Sequence, residues 1–235
     1  MTPGSRNRGT LYFSQSASTS PAIPLTWLCF RSQLVIMAGA GWGVYRCEIL
    51  HSSTKQLSLT MKHLLVLIDP QNDFTSSKGY YATKHGISQI SDAKSNISHL
   101  FTQLKHEAVI VIADYKPNQF EAGVLLCISG TYGHQIDADI EVPKSLPVFS
   151  KCEHSCFSSD EFNKLLKAKQ IETLLICGFL AEYCVKQTAL DALALGYNAT
   201  LVIDCIGTGD DIQHRRERTF DELENKGAVL MDSKD

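Results

Sequence analysis

Three residues of complementary chemistry stand at comparable places along this chain: Asp69, Lys151 and Cys184. Each follows or opens a regular element. Asp69 ends the apolar run LLVLID (64–69), Lys151 ends PVFSK (147–151), and Cys184 falls at the opening of a helix after TLLICG (173–178). A cysteine in the first turn of a helix faces unpaired N–H groups and a partial positive charge, which stabilise a thiolate. A nearby lysine ammonium acts in the same direction. An aspartate within reach takes the thiol proton and returns it to a leaving group, while the helix N–H groups cradle an oxyanion. Taken singly, a cysteine at a helix start is usually structural, an aspartate after a strand a turn former, and a lysine after a strand a solvated charge. The three together outweigh those readings, and the chemistry they suggest is nucleophilic hydrolysis.

The elements that must position them follow from hydrophobic period. The runs 64–69, AVIVIA (108–113), 147–151, 173–178, ATLVID (199–204) and AVLM (228–231) are short and almost wholly apolar, as in strands buried on both faces. Between them, Ile87, Ile90, Ile97, Leu100, Phe101 and Leu104 keep helical spacing. Phe162, Leu165 and Leu166 mark a helix opened by Ser158 or Ser159. Residues 184–195 form a helix closed by Gly196, and 211–226 a polar helix closed by Gly227. Residues 114–146, punctuated by Pro117, Gly123, Gly130, Gly133 and Pro143, are irregular. Alternating strands and helices predict a three-layer, Rossmann-like α/β fold with a mostly parallel sheet. Ligands in such sheets gather at the carboxyl ends of the strands, where Asp69, Lys151 and Cys184 all lie.

Composition narrows the function. Of 22 Lys and Arg and 25 Asp and Glu, residues 1–60 hold five bases (Arg6, Arg8, Arg31, Arg46, Lys55) and one acid, Glu48, so the remainder carries a net −7. That balance argues against nucleic acid as a partner. The apolar segment Leu34–Tyr45 is shorter than the ~20 residues of a membrane span. Eight cysteines in a long chain, mostly inside apolar runs, suggest reduced thiols and a cytoplasmic setting. The Ser- and Thr-rich stretch 1–60 reads as an unstructured leader before a domain at 61–235. Its composition fits an organelle-targeting segment, but Met61 abuts the first strand without a spacer, which favours an upstream reading frame. IMAGAGWG (36–43) imitates a nucleotide-binding loop, but Val44 and the lack of a following amphipathic helix exclude that reading.

Three segments carry a family resemblance. LLVLIDPQNDF, VFSKCEHSCF and GFLAEYCV resemble, in order and spacing, the three motifs of isochorismatase-like cysteine hydrolases, a family that includes nicotinamidases and carbamoyl-amide hydrolases. The resemblance implies Asp69 as general base and acid, Lys151 as support for the thiolate, and Cys184 as the nucleophile forming a thioester with a small amide. It implies a cis peptide at Phe179–Leu180, with the Leu180 and Cys184 N–H groups toward the oxyanion, and substrate contacts from Phe74, Lys116, Phe157 and Tyr183. Relatives are often oligomeric, so a homo-oligomer is expected.

Two departures stand out. Ala181 replaces a frequent Thr. In ADYKP (113–117), Lys116 occupies the place of a metal-binding His of nicotinamidases, with only His134 in the following loop. No metal and no other cofactor is therefore expected. Lys116 either pairs with Asp114 or faces the substrate. Cys152, His154 and Cys156 lack a fourth ligand and read as structural or pocket-lining, and Arg215, Arg216 and Arg218 as a solvated face. The competing functions are a vinyl-ether hydrolase, whose chemistry needs no thiol, and an idle relative that binds without catalysis.

Overall fold

The structure is a computed structural model. It describes the backbone of three strands before residue 46, and residues 62–235 apart from 105 and 121. The chain divides into two compact units, Met1–Ser58 and Leu59–Asp235. In the first, β1 (Trp27–Phe30), β2 (Gln33–Ala38) and β3 (Gly41–Tyr45) pair antiparallel, with Ala38 opposite Gly41. The glycine-rich segment thus leads into a returning strand and not into a phosphate-binding helix. These strands arise where the sequence shows no sustained period. Backbone pairing of short apolar runs requires none.

The second unit is built on six parallel strands in the order β6-β5-β4-β7-β8-β9. They are β4 (His63–Ile68), β5 (Glu107–Ala113), β6 (Val148–Lys151), β7 (Thr173–Phe179), β8 (Asn198–Gly207) and β9 (Val229–Met231). The long helices are α2 (Ser88–Gln103), α3 (Asp160–Lys169), α4 (Lys186–Ala194) and α5 (Gln213–Asn225), and a short α1 (Asn72–Thr75) follows β4. Alternation along β4 assigns the layers. Leu65 and Leu67 pack with Ile90, Ala93, Ile97 and Phe101 of α2. Leu64, Val66 and Ile68 pack on the other face with Phe162 and Leu166 of α3, Ala189 and Ala192 of α4, and Phe220 and Leu223 of α5. Each fully buried Leu or Ile there stabilises the fold by roughly 1.5–3 kcal/mol.

Local signals set the helix ends. Ser159 caps α3 by accepting from Phe162 N–H, Asp160 and Glu161 occupy its first turn, and Gln170 closes it in the left-handed conformation. Cys184 lies in a turn of π-helix, Ala181–Val185, that runs straight into α4, so the helical segment begins three residues before the cysteine. Arg216 corrects the expectation of a solvated face. It donates to the carbonyls of Ile203 and Ile206 and stacks over Phe220, closing the end of β8.

The chain runs outward from β4 through β5 to β6, then returns to place β7 on the opposite side of β4. The resulting crevice at the carboxyl ends of the strands is where a ligand site is expected. Gly178 permits the close pairing there: its φ is +119°, and a Cβ would fall 2.1 Å from Ile68 O.

Candidate active site

The three chemically suggestive residues meet at that crevice. Asp69 follows β4 with φ +50°, in the left-handed region that non-glycine residues seldom adopt. Lys151 is the last residue of β6. Asp69, Lys151 and Cys184 are 0%, 1% and 2% exposed. Lys151 Nζ lies 2.9 Å from Asp69 Oδ2 and 3.3 Å from Cys184 Sγ. It also reaches Tyr115 Oη at 3.0 Å and the Glu153 carbonyl at 3.1 Å. An ammonium has three protons, so these four acceptors share them.

Asp69 is an ion-pair partner without a well-aligned hydrogen-bond donor on either oxygen. Burial pushes its carboxyl above the ordinary range, against the pull of Lys151. Burial would lower Lys151, but the Asp69 carboxylate and Cys184 outweigh it and hold the ammonium above its ordinary value. At Cys184 the result differs from the acidified thiol expected from the helix start. Burial and the neighbouring Asp69 carboxylate together push the thiol up, and Lys151 offsets only part of this. The arrangement is an Asp69–Lys151 ion pair beside a thiol whose surroundings disfavour the thiolate.

The rest of the D-P-Q-N-D-F segment holds the loop beyond β5. Gln71 Nε2 donates to the carbonyls of Ala113 and His134, and its Oε1 accepts from Ala113 N–H. Asn72 donates to the Tyr132 carbonyl, and Asp73 accepts from the Tyr80 and Cys127 N–H groups. These contacts tie residues 127–135 to the end of β4, beside a cavity of about 570 Å³ that Phe74 of the same segment lines. Cys184, Tyr115, His154, Phe74, Phe120 and Tyr183 line it, and Lys84 supplies a cation.

Of the expected substrate contacts, Phe74 and Tyr183 line this cavity, and Leu180 joins them. The Phe179–Leu180 peptide is cis. Phe157 and Lys116 do not line it. Phe157 sits in a 3-10 turn, Cys156–Ser158, and packs at 5.7 Å from both Phe162 and Tyr197 in the core. Past β5 the alternation of an extended strand continues. Ala113 and Tyr115 turn inward, while Asp114 and Lys116 turn to solvent. Asp114 lies 3.5 Å from His134 Nε2, so Lys116 neither forms the expected pair nor reaches the cavity. Cys152, His154 and Cys156 diverge as exposed, cavity-lining and buried residues.

Sequence reasoning missed Tyr115 and gave His154 no chemistry. Tyr115 bridges Lys151 and Cys184, with its Oη 3.5 Å from Sγ. His154 Nδ1 lies 3.8 Å from Sγ. Strand alternation past Ala113 could have pointed Tyr115 inward. His154 sits in an irregular turn whose direction no period reveals.

Comparison with known proteins identifies the family and agrees with the fold. Residues 63–235 match the isochorismatase domain. The chain is 27% identical over 201 residues to the nicotinamidase of Escherichia coli, covering 71% of this chain and 92% of that protein. The N-carbamoylsarcosine amidase of Thermoplasma acidophilum superposes with a TM-score of 0.61 at 24% identity, covering 74% of this chain and 98% of that one. The pyrazinamidase of Pyrococcus horikoshii, solved in complex with zinc, superposes with a TM-score of 0.61 at 23% identity, covering 73% and 99%. A hydrolase domain of three-layer, Rossmann-like fold, with its polar centre at the strand ends, is the class these features define. The chain belongs to the isochorismatase family.

A zinc site does not fit the corresponding residues here. Asp114 and His134 offer two donors, and Lys116 offers none. Among the described residues, no group of three or more His, Cys, Asp or Glu is arranged to hold a metal ion. No helix among the described residues is long and apolar enough to cross a membrane.

Proposed function

We propose that the chain is a cysteine hydrolase that cleaves the C–N bond of a small amide or carbamoyl compound through a thioester at Cys184. The observation that carries this reading is the buried Lys151 ammonium, 2.9 Å from Asp69 Oδ2 and 3.3 Å from Cys184 Sγ, beneath a cavity that Cys184 lines.

The proton logic follows from the resting state. A substrate carbonyl placed over Sγ makes the thiol a nucleophile as its proton passes to Asp69. The raised carboxyl pKa of Asp69 narrows the gap to the raised thiol and favours that transfer. The ammonium balances the negative charge on sulfur and stays charged because its own proton affinity is raised. The Leu180 and Cys184 N–H groups are the proposed donors to the oxyanion. Asp69 then gives the proton to the departing nitrogen, releasing ammonia or an amine and leaving an acyl group on Sγ. Water hydrolyses the thioester and restores the thiol.

Cavity walls of Phe74, Phe120 and Tyr183 suit a flat or apolar acyl group. The cysteines at 127, 152, 156, 177, 184 and 205 are free, in keeping with a reducing compartment such as the cytoplasm. The test is ammonia release from a panel of small amides and carbamoyl compounds, nicotinamide included. The reading expects turnover by the wild type and loss of it in Cys184→Ala. Undiminished hydrolysis by Cys184→Ala would refute the nucleophile.

A further inference from the structure

Resting on the thioester reading, we propose that His154 is a second catalytic residue. Its imidazole activates the water that hydrolyses the acyl-enzyme.

The role follows from position. Of the titratable groups beside Cys184, Asp69 is completely buried, whereas His154 lines the cavity. A water entering an acylated site comes from the cavity, and there it meets His154. The imidazole is half-buried, lines the cavity and places Nδ1 3.8 Å from Sγ. Its plane is fixed by neighbours. The ring stacks on Phe120 with centroids 4.7 Å apart and planes 7° off parallel. Tyr183 lies at 5.7 Å on a tilt, and Tyr115 presents an edge at 6.4 Å. A ring held in this way loses little freedom on reaching the reactive geometry.

The step balances. Nδ1 takes a proton from water as the water oxygen bonds to the thioester carbon. The C–S bond then breaks, the Nδ1 proton passes to Sγ, and the acid leaves with the thiol restored. The groups around His154 favour the neutral ring this needs. Burial, and then the Lys151 ammonium, hold its pKa below the ordinary histidine value, against Asp69 and Glu153. Tyr115 and Tyr183 face it from the flanking elements, and Lys84 and His85 line the same cavity.

The experiment uses 4-nitrophenyl acetate, whose acylation step releases a coloured leaving group without protonation. In the full chain, His154→Phe keeps an aromatic ring against Phe120 and removes the base. The nitrophenolate burst should keep its rate. The following steady state should fall by ~10²–10⁴-fold, with an acetyl group retained on Cys184 by mass spectrometry. Hydroxylamine needs no base to attack and should restore turnover in the variant. The wild-type deacylation rate should rise with pH as the imidazole loses its proton, and the variant should lack that rise. His154→Gln, which keeps polarity, should behave as the Phe variant does if the latter proves unstable. Burst and steady state falling together without an acetylated Cys184, or a variant with unchanged deacylation, would overturn the role of His154 alone. A wild type that never acylates at Cys184 would overturn the thioester reading and this inference with it.

Discussion

Replacing Lys151 with Met tests whether the ammonium is what allows Asp69 to be ionised in a dry site. Methionine approximates the lysine stem in volume, so packing changes little. What is lost is the cation 2.9 Å from a carboxylate that is fully buried and has no aligned hydrogen-bond donor. Breaking a buried pair on one side typically costs ~3–5 kcal/mol. Here the carboxyl has an escape, because it can take up a proton. In the variant, the folded Asp69 pKa rises further above the ordinary 3.8. A group raised in the folded state contributes most below its unfolded value and loses that contribution as pH rises through the folded value. The Lys151→Met chain should therefore lose stability with rising pH by up to about 1.4 kcal/mol per unit, relative to a Lys151→Met/Asp69→Asn chain that cannot titrate there. Urea unfolding of both at about pH 5 and pH 7 reads the difference directly, since every other titrating group is common to the two. The gap should widen by up to about 3 kcal/mol between those conditions. A constant gap would mean that Asp69 is solvated or otherwise paired, and the charge argument for the site would be wrong.

Four further outcomes rest on the same geometry. Lys94 and Asp137 form a buried pair at 2.7 Å, with Thr75 also donating to the carboxylate. Burial alone would raise Asp137, but the bond from Lys94 leads the contacts that hold it below the ordinary value, so its contribution is present above pH about 4 and lost on acidification through the folded value. Asp137→Asn should cost ~3 kcal/mol near neutrality in urea unfolding, and much less in strong acid. Lys116→Met should leave stability and kinetics unchanged, because the residue is exposed outside the cavity, whereas Lys84→Met should raise KM for anionic amides at similar kcat. A chain beginning at Met61 should melt within a few degrees of the full chain, and loss of cooperative unfolding would show that residues 1–60 support the domain.

The sequence by itself determined the layers and the order of the site. Runs such as Leu64–Ile68 and Ala108–Ala113 are apolar at every position, which only a strand covered on both faces accommodates. The spacing of Ile90, Ile97 and Phe101 set the face of α2, and the serine pair 158–159 narrowed the start of α3 to two positions, of which the structure uses Ser159. The residue types at 69, 151 and 184 suggested a chemistry, and each sits at an element end that a parallel sheet brings to one rim. Tertiary structure decided what those residues are next to, and so how they behave. The helix start argued for an acidified thiol, yet enclosure beside Asp69 raises it, because desolvation depends on every chain segment that shuts out water. Lys116, expected at the pocket, points to solvent, and Lys84, some thirty positions earlier, takes the cavity position. Phe157 packs, half-buried, against the core, and Tyr115 and His154 came to the thiol. All of these lie in turns and strand exits, where direction follows from packing and not from a repeating backbone geometry.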